Sequence, residues 1–124
     1  MILIIGGAEQ GKLGFAKELY PQVTWIDGRT CKEEEVFSCQ GIFHFHALIE
    51  RMMRKEKDVS ELSRRLIREN PDIRVISDEI GYGVVPADPF LRSYREMTGR
   101  ICTELAAFSK EVYRVVCGIG TRIK

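Results

Sequence analysis

Residues 1–19, MILIIGGAEQGKLGFAKEL, read as a strand, a glycine turn and a helix, and the remaining segments arrange themselves around that unit. The first five residues form an unbroken apolar run that stops at Gly6-Gly7, the pattern of a strand covered on both faces in a parallel sheet. From Lys12 the apolar residues Leu13, Phe15, Ala16 and Leu19 recur at helical spacing, and Pro21 closes the segment.

Between strand and helix, Gly6-Gly7-Ala8-Glu9-Gln10-Gly11-Lys12 satisfies G-x-x-x-x-G-K in the context where that spacing cradles phosphate. Glycines let the backbone curl so that successive N–H groups face inward, and the helix N-terminus adds partial positive charge. Lys12 supplies a point charge for the β- and γ-phosphates of ATP or GTP. Gly6, Gly7, Ala8, Glu9, Gln10, Gly11, Lys12 and Leu13 are therefore the candidate nucleotide-binding residues, with Lys12 also a candidate catalytic residue. The plainer alternative is a tight strand-to-helix turn with Lys12 solvated. The position after the lysine normally holds a Ser or Thr that ligates magnesium, and Leu13 has no oxygen to offer. Mg2+ would then rest on phosphates, waters and one carboxylate, with weakened metal-dependent turnover.

Working outward, Val23 to Ile26 is a β-prone run ended by the turn signal Asp27-Gly28, and Lys32 to Glu35 suits a short surface helix. Gly41 to His46 reads as a third strand, followed by a helix from Ala47 that carries Leu48, Ile49, Met52 and Met53. Asp58 or Ser60 can cap another helix with Val59, Leu62, Leu66 and Ile67 on its apolar face, stopped at Asn70-Pro71. Ile73 to Ser77 gives a fourth strand. After the loop 78–88, a helix from Pro89 to Ser109 presents Leu91, Tyr94, Met97, Ile101, Leu105 and Phe108, and Val112 to Cys117 gives a fifth strand. Alternating strands and helices of these lengths need crossover connections. The expected fold is α/β: a P-loop (RecA-like), mostly parallel sheet with helices on both faces.

At 124 residues the chain suits one domain spanning 1–124. Nineteen Lys and Arg against eighteen Asp and Glu leave a net charge of +1, so no overall field attracts nucleic acid or a membrane surface, and phosphate binding must be local. Cys31, Cys39, Cys102 and Cys117 form no CxxC pair and have no His at zinc-finger spacing, which makes them free thiols. The apolar run after Met1 is too short for a signal segment or a membrane span, which points to a cytoplasmic protein.

Asp78 and Glu79 stand at the end of the fourth strand, where open α/β sheets gather their ligands. Asp78 is the candidate magnesium ligand and Glu79 the candidate base for an attacking hydroxyl; the alternative is a loop cap and a solvated acid. Gly81-Tyr82-Gly83 reads as a loop that approaches something closely or moves. On the next helix Arg92, Arg95 and Gly99 share a face flanked by Arg100, which suits either a phosphate clamp or an ordinary solvated surface. His44 and His46, two apart in the third strand, would share a face and serve as metal ligands or phosphoryl acceptors, or simply as structural imidazoles.

With these residues in view, the chain resembles the adenosylcobinamide kinase and adenosylcobinamide-phosphate guanylyltransferase family of cobalamin biosynthesis. Met1 to Leu19 is similar to that family's opening strand and phosphate loop, and Val75 to Lys124 to its closing half. Ser77-Asp78-Glu79-Ile80-Gly81-Tyr82-Gly83-Val84-Val85-Pro86 resembles the family segment N-E-V-G-x-G-I-V-P, and Tyr94 to Arg100 resembles F-R-x-x-x-G-R. Val112 to Gly118 looks like the family's final strand and turn. The family is typically longer, with a helix between its second and third strands that carries the histidine to be guanylylated. Here only Arg29 to Gln40 fills that interval, no histidine lies in it, and His44 takes the place of a family acid on the third strand.

The resemblance implies transfer of a phosphoryl group from ATP or GTP to the hydroxyl of a cobinamide-type alcohol. Lys12 would hold phosphate, Glu79 would orient or deprotonate the hydroxyl, and Arg95 or Arg100 would neutralise developing charge. Guanylyltransferase activity is not expected. The family's habit implies a homo-oligomer. The competing reading is a catalytically degenerate module that holds a nucleotide or a corrinoid without turnover, as Leu13 and His44 favour.

Overall fold

The computed structural model describes residues 1–81 and 83–124, so the aromatic of the Gly81-Tyr82-Gly83 loop lies outside the described residues. Its elements in chain order are β1 (Ile2–Gly6), α1 (Lys12–Leu19), β2 (Trp25–Asp27), a 3-10 helix (Glu33–Phe37), β3 (Gly41–Phe43), α2 (Phe45–Arg54), α3 (Leu62–Glu69), β4 (Arg74–Asp78), α4 (Pro89–Phe108), β5 (Glu111–Val116) and β6 (Ile119–Arg122). The strands form one sheet in the order β2-β3-β4-β1-β5-β6. All neighbours are parallel except the antiparallel pair β5–β6.

Strand alternation sorts the apolar residues to two faces. Leu3, Ile42 and Val75 join Phe45, Leu48, Ile49, Leu66, Ile101 and Leu105 in a core beneath α2, α3 and α4. Ile2, Ile4, Ile76 and Val115 instead meet Ala16 of α1. The expected α/β sheet with helices on both faces is what the chain forms, with three helices on one side and one on the other.

Four local expectations are corrected. The third strand stops at Phe43 rather than His46, because His44 takes the left-handed conformation (φ 54°) that ends pairing and starts α2. His46 is then in a helical turn, and the two histidines are not alternate residues of one strand. Helix α3 starts at Leu62 because Asp58 Oδ1 accepts the Ser60 N–H at 2.9 Å, folding residues 58–60 into a turn. On α4 the buried face is Tyr94, Thr98, Ile101 and Leu105, whereas Leu91 and Phe108 are exposed: a helix this long meets the sheet only over its middle turns. Finally, β6 was not expected. A two-residue turn with Cys117 (φ 51°) and Gly118 (φ 76°) both left-handed reverses the chain, the geometry that matches the twist of paired strands.

Candidate active site

Register places the site. Parallel pairing of β1 with β4 sets Gly6 beside Asp78, so the glycine loop leaves β1 next to the carboxylate that ends β4. Lys12, the first residue of α1, is 7% exposed although it is a lysine. Its Nζ lies 2.7 Å from Asp78 Oδ1 and donates to Gly7 O at 2.6 Å. The other carboxylate oxygen of Asp78 is 3.3 Å from His46 Nε2, and the Asp78 N–H donates to His46 Nδ1 at 3.1 Å. Since Nδ1 accepts, the ring proton of a neutral imidazole sits on Nε2, facing Asp78. Burial depresses the His46 pKa and outweighs the opposing pull of Asp78, which keeps the ring neutral. Asp78 is thus oriented from two sides.

The loop itself is bent by Glu9 (φ 57°) and Gly11 (φ 84°). A Cβ on Gly11 would also come within 3.1 Å of Gly118 Cα, so glycine is required there by both dihedral and space. The β5–β6 turn braces the loop: Gln10 O accepts from Gly118 N at 2.7 Å and Gln10 Oε1 from Cys117 N at 2.8 Å. Together with the Lys12 bond to Gly7 O, each of these contacts uses an acceptor of the loop, and none uses one of its N–H groups.

A cavity of about 440 Å3 opens between residues 8–14 on one side and Arg29, Phe43, His44, His46, Ile76 and Asp78 on the other. Its far wall is built on Asp27 at the end of β2. Burial opposes ionisation of Asp27, yet hydrogen bonds from the Arg29 side chain and backbone and from His44 hold its carboxyl down at about 2. Arg29 Nη2 is 2.8 Å from Asp27 Oδ2, and His44 Nδ1 is 3.2 Å from Oδ1. The His44 and His46 rings meet edge to face at 5.8 Å. Sequence reading named neither Asp27 nor Arg29 as a site residue. The available signal was the Asp27-Gly28 turn at a strand's carboxyl end, where this fold class collects its ligands.

The other candidates lie apart from that cavity. Glu79 donates its N–H to Gly6 O at 2.8 Å, and its Oε2 is 3.3 Å from Arg114 Nε. Arg95 donates to the carbonyls of Val84, Gly83 and Gly81, and Arg92 to those of Pro86 and Ala87. Both arginines therefore tie Gly81, Gly83, Val84, Pro86 and Ala87 to α4. Arg100 pairs with Glu96 at 3.4 Å on an exposed face. Among the described residues, no group of three or more His, Cys, Asp and Glu side chains is arranged to hold a metal ion.

The cobinamide kinase / cobinamide phosphate guanyltransferase family profile matches residues 24–123, a span that begins after the glycine loop. Over 50 residues the chain is 42% identical to the bifunctional adenosylcobalamin biosynthesis protein CobU of Escherichia coli (strain K12), covering 40% of this chain and 28% of that protein. The CobU protein of Salmonella typhimurium (strain LT2) matches at the same 42% over 50 residues, with the same shares of 40% and 28%. The matched segment is thus little more than a quarter of each relative's length. With four-fifths of its residues under the profile and the strand order and loop placement described above, the chain belongs to the cobinamide kinase / cobinamide phosphate guanyltransferase family.

Proposed function

We propose that the cavity between the glycine loop and Asp78 binds the triphosphate of ATP or GTP, and that the protein transfers the γ-phosphoryl group to the hydroxyl of a cobinamide alcohol. The observation that carries this reading is the Lys12–Asp78 pair at the mouth of a loop whose braces occupy its carbonyls. On binding, Lys12 exchanges Asp78 for the β- and γ-phosphates, and the loop N–H groups with the α1 N-terminus take the remaining negative charge. The donor set fits magnesium held mainly by phosphate and water, because Leu13 has no oxygen and Asp78 is the carboxylate opposite the lysine. In the transfer, the acceptor oxygen attacks the γ-phosphorus and the bond to the β–γ bridging oxygen breaks, its electron pair leaving on the nucleoside diphosphate. Glu79 takes the hydroxyl proton, which requires it to release Arg114. Arg95 or Arg100 would neutralise charge only after leaving the partners described above.

Leu13 favours a second reading, a module that holds nucleotide or corrinoid without turnover. Calorimetry with ATP and GTP, with and without magnesium, followed by an assay of transfer to cobinamide, separates the two. Lys12→Ala is expected to weaken nucleotide binding roughly 10- to 100-fold, the worth of a charge-assisted contact. Leu13→Ser should strengthen magnesium-dependent binding. Failure of the unmodified protein to bind either nucleotide defeats the kinase reading, and failure to bind cobinamide as well defeats both.

The proposal extends to a homo-oligomer acting in the cytoplasm. Val116, Ile119 and Ile123, on and beside the edge strand β6, are 52%, 72% and 57% exposed and support self-association. Light scattering would show a single-chain mass at every concentration if this part is wrong. No helix of the described residues is long and apolar enough to cross a membrane.

A further inference from the structure

The wall of the cavity that faces the glycine loop carries a histidine with no part in transfer to an alcohol. His44 lines that cavity, and its side chain is 34% exposed, so water reaches the ring. Its Nδ1 lies 3.2 Å from Asp27 Oδ1. Asp27 is held ionised and a carboxylate only accepts hydrogen bonds, so Nδ1 carries the proton and the neutral ring keeps a lone pair on Nε2. Among the described residues, Nε2 has no hydrogen-bond partner. The acid behind the ring is itself fixed, since the Arg29 backbone N–H and Nη2 donate to its two oxygens at 2.9 and 2.8 Å. Phe43 leans on the ring at 4.9 Å and His46 meets it edge to face. Gly28 lets the two segments approach, because a Cβ there would overlap His44 O. His44 also holds a left-handed backbone (φ 54°), a conformation that non-glycine residues keep where their surroundings impose it and that clusters at functional sites. His46 cannot take the same part: its Nε2 faces Asp78 and its Nδ1 accepts the Asp78 N–H.

We propose that the protein hydrolyses bound ATP or GTP to the nucleoside diphosphate and inorganic phosphate, with His44 as the general base for water and Asp27 as the residue that positions it. The water oxygen attacks the γ-phosphorus while its proton passes to His44 Nε2. The bond from that phosphorus to the β–γ bridging oxygen breaks, and its electron pair leaves on the nucleoside diphosphate. Asp27 stabilises the imidazolium that forms, which then returns its proton to solvent. Water and alcohol are thus activated by different bases, His44 and Glu79. This activity rests on the nucleotide reading but needs no cobinamide.

The test measures phosphate release by the full chain from ATP or GTP with magnesium and without cobinamide, beside calorimetric binding of the same nucleotide. Steady release is expected. His44→Gly keeps the left-handed turn and removes the base, so kcat should fall about 100-fold with little change in KM, and added imidazole should restore part of the rate. Asp27→Asn offers an amide N–H to Nδ1 and moves the ring proton to Nε2. Its kcat should fall as well, and the 15N shifts of the His44 ring should report the exchanged tautomer, a signature that a merely structural contact would not give. A protein that binds nucleotide and releases no phosphate, an unchanged kcat in His44→Gly, or a loss confined to KM overturns the proposal. Transfer to cobinamide without release to water overturns this activity and leaves the kinase reading standing. Release through His44 without transfer upholds it while the kinase reading falls, and failure to bind either nucleotide overturns both.

Discussion

Asp78 shows how a single residue acquires its role from its surroundings. Lys12 neutralises one oxygen, His46 faces the other, and the backbone N–H beneath the carboxylate is taken by His46 Nδ1. Protonating His46 would set a second N–H against that backbone donor, which agrees with the downward shift that burial imposes on the ring. The linkage has a definite sign. The folded-state pKa is below the ordinary 6.5, so the unfolded chain binds the proton first as the pH falls. Stability from this site is complete above about pH 6.5 and declines below it, until the folded imidazole titrates as well. Melting temperatures at pH 7.5 and 5.5 should differ more in the unmodified protein than in His46→Gln. Equal differences would show that His46 is not the group responsible. Of this constellation, Lys12 and Asp78 were legible, because a motif and a strand end mark them. Their bridge to His46 was not, because it depends on β3 stopping three residues early.

Among the elements, the glycine loop and the β5–β6 hairpin form a coupled pair. The loop is the most recognisable segment of the sequence, whereas β6 is four residues containing a glycine and a threonine, too short to show a period. Yet the turn at Cys117 and Gly118 is what holds Gln10 in place. Gly118 adopts φ 76°, where a Cβ is strained, so Gly118→Ala should cost about 1 kcal/mol of stability. It should also weaken nucleotide binding, since the brace on the loop shifts with the turn. Calorimetry that finds unchanged affinity in this variant would separate the hairpin from the loop's function. Helix α4 illustrates the opposite case. Asp88 caps it by accepting the Phe90 N–H at 2.8 Å, and Pro89 follows at the first helical position, a start signal readable from sequence alone.

At the scale of the whole molecule, five parallel strands deliver Gly6, Asp27, Phe43, Asp78 and Val116 to one edge of the sheet, and the hairpin returns the chain at that same edge. The site is an edge of the fold, so its integrity depends on the core beneath. Phe45, fully buried between His44 and His46, ties that edge to the α2 layer. Phe45→Ala should cost about 3–5 kcal/mol and disturb both histidines, measurable by denaturant unfolding and by the imidazole resonances. A loss below 1 kcal/mol would mean that the site and the core are independent. Strand alternation, the glycine motif, the cap of α4 and the carboxylates closing β4 are properties of neighbouring residues, so the sequence by itself determined the α/β class, the glycine turn between β1 and α1, and the candidacy of Asp78. Strand order, the partners of Asp27 and His46 and the hairpin that braces Gln10 were decided only by the tertiary structure. Each is a contact between residues far apart in the chain, set by register and packing that no local pattern encodes.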